Sequence, residues 1–284
     1  WELWHDQLGT RLVADGGTTD APWDGYGVAP LASLTVRMPA CDAVAVLAIR
    51  LLTPEGGVVS RNFIAFDVRG GLECGAHGDG MSGHVSIPVD RFVRHTFDRQ
   101  WNAIGGAKAN GARKGKFAYD VTLPDRATQA IIGDVEIVFE AGAKRVLARN
   151  EAGAAAREEE GYLMHGAEAD PEYNPNTYYM TDEKRHESRV NVSIDGEPVE
   201  SFLLPDDPAD CRGVLSWHYQ PSDKELDEAG SYGYLCKVAV PGRIAAKLDA
   251  NRVFRLEIEA DEGGLALYGR NAGRYPIDLL IRYR

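Results

Sequence analysis

The chain has 284 residues, 44% of them hydrophobic and 26% charged, with a formal net charge of −12. That length supports a sizeable core in one to three domains, and the composition excludes a disordered or collagen-like polypeptide. An acidic surface repels phosphate groups, so neither nucleic acid nor an anionic membrane is an expected partner.

Short strands separated by turn signals are predicted from the start. Residues 1–5 and 11–14 read as strands around a turn. Leu34, Val36 and Met38 alternate with Thr35, Arg37 and Pro39. The apolar run over 44–52 contains Arg50 and is too short to cross a bilayer. Thr53-Pro54-Glu55-Gly56-Gly57 places Pro and Gly where a hairpin turn needs them, with return strands over 58–60 and 62–68. No helical period intervenes, so 1–70 is predicted to be a small immunoglobulin-like sandwich. The Gly-rich stretch 70–83 is the candidate linker. Cys41, Cys74, Cys211 and Cys236 lack a CxxC spacing, so no zinc site is expected. They allow three disulfide pairings or, more simply, isolated thiols.

Residues 71–284 restart the strand pattern. Strands are predicted over 84–89, 91–97 and 116–124, with 101–115 a long loop rich in Gly, Asn and Lys. Val135, Ile137 and Phe139 alternate with Glu136 and Glu140, as in a half-buried strand, and 144–149 is expected to pair with it. The polar stretch 151–187 reads as an insertion. Val190, Val192 and Ile194 lead into Asp195-Gly196, a hairpin dipeptide, and 199–204 returns. Further strands are expected at 213–218, 232–240, 252–259, 264–268 and 278–282, and short helical turns at 222–230 and 243–250. Strands at this density point to an all-β jelly roll with its loops clustered at the ends.

Catalytic motifs are sparse. GxSxG, HExxH and P-loop patterns are absent. Acidic runs at 158–160, 168–172 and 223–228 offer carboxylate pairs, but such runs more often solvate a loop than cleave a glycoside. Asp170, Glu172, Asn174 and Asn176 offer oxygens to calcium, but Pro171 and Pro175 intervene and the EF-hand pattern is missing. The seven histidines share no ligand spacing, and no cofactor is expected. The remaining signal is aromatic. Sugars pack C–H faces on Trp and Tyr rings, and their hydroxyls need planar polar partners. The candidate carbohydrate-binding residues are Trp101, Asn102, Trp217, His218, Tyr219, Tyr232, Arg270 and Tyr275, with Tyr234, Asn271 and Arg274 close by in sequence. The competing reading makes Trp101, Trp217 and Tyr119 core plugs.

Three stretches carry a resemblance. The first runs from Thr53-Pro54-Glu55-Gly56-Gly57 to Arg61-Asn62-Phe63. The second is Trp101-Asn102 through Asn110-Gly111 to Phe117-Ala118-Tyr119. The third spans 232–241, 254–259, 264–269 and 273–276. Together they resemble the immunoglobulin-like and galactose-binding-like domains in the C-terminal region of glycoside hydrolase family 2 enzymes. That family keeps its catalytic glutamates on a (β/α)₈ barrel, which needs about 250 residues of alternating strand and helix; this sequence has no room for one. The resemblance therefore implies a non-catalytic accessory pair that binds a glycan and partners the catalytic domain of a glycosidase, in an extracellular or periplasmic setting. Two other readings stay open: purely structural or oligomerisation domains, and a β-sandwich enzyme that degrades polysaccharide with loop carboxylates.

Overall fold

The computed structural model describes residues 1–4, 12–20, 30, 32–40, 42–70, 83–125, 132–145, 185–207, 233–270 and 272–284. The chain divides into two compact units, Trp1–Ser82 and Gly83–Arg284. Antiparallel strands dominate both, as the all-β reading requires. Of the candidate linker 70–83, residues 71–82 lie outside the described residues, and Gly83 opens the first strand of the second unit.

The N-terminal unit contributes one four-stranded sheet, in the order β2 (Leu12–Gly16), β1 (Glu2–Trp4), β3 (Ala43–Leu52), β4 (Val58–Val68). A second sheet, as an immunoglobulin-like sandwich would have, is not among the described elements. Strands β3 and β4 form the expected hairpin. Gly56 sits at φ 87°, in the left-handed region that glycine enters without strain, and its N–H donates to the Thr53 carbonyl at 2.9 Å. Leu3, Ala45 and Val46 are buried, whereas Ile49, Leu51 and Ile64 are exposed. The expected strand over 34–38 does not form: this stretch pairs with no strand among the described residues, and Leu34 and Met38 are exposed. Alternation alone stabilises no strand without a neighbouring edge to bond to.

The C-terminal unit is a two-sheet sandwich. One sheet runs β5 (Gly83–Ile87), β16 (Leu279–Tyr283), β10 (Val135–Gly142), β15 (Leu265–Tyr268), β8 (Lys108–Ala112), β7 (Arg99–Ala103), with β13 (Tyr234–Ala239) on the other edge of β10. The opposing sheet runs β12 (Glu197–Leu204), β11 (Ser188–Ile194), β14 (Val253–Ala260), β9 (Gly115–Thr122), β6 (Arg94–His95). Most connections cross from one sheet to the other, in the jelly-roll manner. Inward residues alternate along the strands: Phe254, Leu256, Ile258 and Ala260 on β14 meet Ile137, Phe139 and Ala141 on β10 in one continuous core. Helix α1 (Gly242–Ala250) adds Ile244, Ala245 and Leu248. Asp195 and Gly196 form the β11–β12 turn at φ 49° and 79°, as a two-residue hairpin of this type demands.

Two expectations fail here. Residues 101–115 are not a long loop but the β7–β8 hairpin and the start of β9. Their small residues, which suggested a loop, serve close packing: a Cβ on Gly111 or Gly115 would collide with Phe97. Nor do the described residues of 144–149 pair with β10, and 146–149 lie outside the described residues. Lys144 and Arg145 lie outside any strand, and β10 pairs instead with β13, β15 and β16, all remote in sequence. Lys144 is buried and held at 3.3 Å by the buried Asp207, which also accepts the Arg145 N–H at 2.9 Å. The expected strand at 213–218, the helical turn at 222–230 and the insertion at 151–187 lie outside the described residues, apart from 185–187.

Phe117 is fully buried, with the rings of Phe92 and Phe97 centred 4.8 and 4.7 Å away. Phe117→Ala removes that packing and leaves a cavity. It is expected to destabilise the C-terminal unit by about 3–5 kcal/mol, read by urea unfolding.

Candidate functional site

Strand β10 offers one edge to two strands in succession. Its residues 135–138 pair with β16 and residues 140–142 with β15. Between Tyr268 and Leu279 the chain must therefore leave the sheet and return. That connection, 269–278, contains two of the candidate residues, Arg270 and Tyr275.

The connection is fastened at two places. At its base, Asp278 accepts the Arg270 backbone N–H at 3.2 Å, pairs with the Arg270 guanidinium at 3.4 Å and accepts the Ser86 hydroxyl at 3.3 Å. Further along, Glu140 takes hold. Its Oε1 accepts the N–H groups of Gly233 (2.9 Å) and Arg274 (2.8 Å), and its Oε2 that of Tyr275 (3.0 Å). Glu140 is fully buried on the face of β10 opposite the core. Burial pushes its carboxyl up to about 7; the three N–H donors and the nearby Arg274 cation pull the other way without cancelling it. Cys236, a buried free thiol on β13, is pushed up by burial and then by the charges of Glu140 and Glu200.

The cross-strand register extends this face. Glu140 lies opposite Tyr268, Tyr268 opposite Lys108, and Lys108 opposite Ala103. The Lys108 ammonium stands 4.5 Å from the centre of the Tyr268 ring. Two residues on, and so on the same face, Trp101 lies opposite Asn110. Asn110 is 2% exposed and donates to the Trp101 carbonyl at 3.4 Å, while its Oδ1 has no hydrogen-bond partner. Trp101 is half-buried on the edge strand, with the exposed Arg99 guanidinium 5.3 Å from its ring centre.

Four of the predicted residues lie in or beside this sheet, but Asn102 faces the side opposite Trp101. Trp101 and Asn102 belong to its edge strand, and Arg270 and Tyr275 to the connection, whose first residue donates its N–H to the Ala107 carbonyl beside the β7–β8 turn. Asn102 is exposed and accepts from Gln100 Nε2 at 2.7 Å. Trp217, His218, Tyr219 and Tyr232, with Asn271, lie outside the described residues, as do the acidic runs and the candidate calcium loop. Tyr119 is a core residue: it is fully buried and its hydroxyl donates to the Val89 carbonyl at 2.6 Å. Tyr234 is likewise buried, at the start of β13. Sequence reasoning missed Glu140, Asn110 and Lys108. Among the described residues, no group of three or more His, Cys, Asp or Glu side chains converges as a metal site would.

No family model matches the chain, and no curated protein matches it. Solved structures that resemble it include a family GH115 4-O-methyl-α-glucuronidase with specificity for decorated arabinogalactans. That match has a TM-score of 0.28 and 13% identity, and covers 68% of this chain and 18% of the glucuronidase. A carbohydrate-binding module of the β-sandwich superfamily matches with a TM-score of 0.24 and 10% identity, covering 92% of this chain and 79% of the module. Both proteins belong to carbohydrate chemistry, but likeness at this level settles nothing about the site. The family 2 resemblance gains no support from either.

Gly273 tests the fastening. A Cβ there would overlap the Glu140 carboxylate, which is buried and held by three N–H groups and so cannot swing aside. Gly273→Ala is expected to destabilise the C-terminal unit by about 1–3 kcal/mol, visible as a lowered Tm.

Proposed function

We propose that the chain is a non-catalytic, carbohydrate-binding accessory module of a glycosidase, kin to the family 2 accessory region that the three sequence stretches resemble. Its ligand rests where Trp101 and the 269–278 connection flank one sheet. The observation that carries this reading is the half-buried Trp101 ring on an edge strand, with the Arg99 guanidinium over it. A pyranose stacks its C–H face on such a ring, and Arg270 and Tyr275 of the connection offer partners to the hydroxyls of further units of a glycan laid across the same face; Asn102, next to Trp101 on the strand, points to the opposite face. Arg99 already lies over the ring, but an exposed cation–π contact is worth only about 0.5–1 kcal/mol, so a sugar displaces it at small cost. Binding requires no bond chemistry and no cofactor.

A second reading rests on a separate observation. Ile49, Leu51 and Ile64, 46%, 37% and 47% exposed, alternate onto one face of the β3–β4 hairpin. An uncovered apolar face favours a structural role in which the N-terminal unit docks onto a parent domain.

Affinity electrophoresis of the full chain through gels containing a panel of neutral and acidic polysaccharides separates the two. Retardation by at least one glycan is expected, lost in Trp101→Ala while the far-UV spectrum and Tm stay within the wild-type range. Retention by no glycan removes the binding reading, and undiminished retention of Trp101→Ala removes the site.

A further inference from the structure

We propose that Glu140 is a positioning residue for this face: it holds the 269–278 connection against the sheet, and its ionisation loosens that hold as pH rises. The consequence for ligand rests on the binding reading above; the clamp itself does not.

The geometry comes first. One carboxyl group collects three backbone N–H groups from two separate segments, 233 and 274–275, at the point where the sheet is interrupted. Gly273 leaves just enough room for it. A protonated carboxyl can keep all three partners, because Oε1 can go on accepting two N–H groups as the carbonyl oxygen and a hydroxyl Oε2 retains a lone pair for the third, while its own O–H then needs an acceptor. Ionisation strengthens the three N–H bonds, yet it places a charge where no solvent reaches, and burial outweighs that gain.

Among the described residues the surrounding groups are few. The connection brings Arg274, whose cation favours ionisation, Tyr275, and Arg270 already paired with Asp278. Strand β15 brings Tyr268, capped by Lys108 of β8. Strand β13 brings the Cys236 thiol, kept neutral by its burial, and the exposed Lys237. Glu136 of β10 is paired with Arg282 of β16 at 2.7 Å.

The sign follows by linkage. The carboxyl titrates near 4.5 when released into solvent and at about 7 when clamped. The clamped form is therefore fully favoured below 4.5, and that advantage is lost as pH rises through 7. Between pH 5 and 8 the opening equilibrium should grow by tens of fold, on the order of 50.

Amide hydrogen exchange in the full chain, corrected for intrinsic rates, tests this from pH 5 to 8. Protection at Gly233, Arg274 and Tyr275 is expected to fall by tens of fold in the wild type, to stay level in Glu140→Gln, and to stay level at Ile137 in both. Level protection in the wild type, or an undiminished slope in Glu140→Gln, overturns the proposal. Should Glu140→Gln fail to fold, the ¹³C shift of the wild-type Glu140 carboxyl decides: a midpoint near 7 supports the clamp and one near 4.5 overturns it. None of these readouts needs a ligand. Failure of every gel in the polysaccharide panel therefore leaves the clamp standing, and level exchange leaves glycan binding standing.

Discussion

A single strand edge, shared by two partners, governs the candidate site. Because β15 and β16 take successive halves of one side of β10, the backbone between them has to step out of the sheet. A stepped-out segment carries N–H groups that no ladder bond can satisfy, and a buried unsatisfied N–H costs about 1–3 kcal/mol. Glu140 meets that demand from within the same strand, taking two N–H groups from the segment and a third from Gly233, just ahead of β13. The interruption, the buried carboxyl and the presentation of Arg270 and Tyr275 are thus one arrangement.

The same logic recurs where other segments leave the sandwich. Lys144 and Asp207, remote in sequence, meet as a buried ion pair just beyond the ends of β10 and β12, and Asp206 and Asp207 accept backbone N–H groups of His186 and Arg145. Such pairs add little net stability, because desolvation offsets the attraction, yet removing one partner is costly. Their effect is to fix where the chain departs. The sandwich supplies the area that stabilises the unit, and its buried charges supply the positions of the segments around it.

The binding reading proposed above draws on that division. In the proposed module, a half-buried tryptophan on a sheet edge gives a surface that needs little reorganisation to receive a sugar. The carboxyl with the most displaced titration among those described faces no cleft; its oxygens are taken up by backbone N–H groups. A general acid would need to touch its substrate.

Much of the strand content was legible in the sequence. The alternation of Val190, Val192 and Ile194, and of Phe254, Leu256 and Ile258, is local, and burying one face of a sheet enforces it at each step. Asp195-Gly196 and the Pro54–Gly57 turn were equally readable, since backbone torsion limits which residues fit there. Pairing was not: 144–149 seemed the natural neighbour of β10, but strands from far along the chain took both its edges. Nor could 101–115 show that its glycines serve Phe97 rather than a loop. Glu136 and Glu140 look alike in sequence, two outward acids on one strand. Only the tertiary structure sets one beside Arg282 near the surface and the other beneath a connection it must hold, because burial depends on what crosses over a residue and a local pattern carries no record of that.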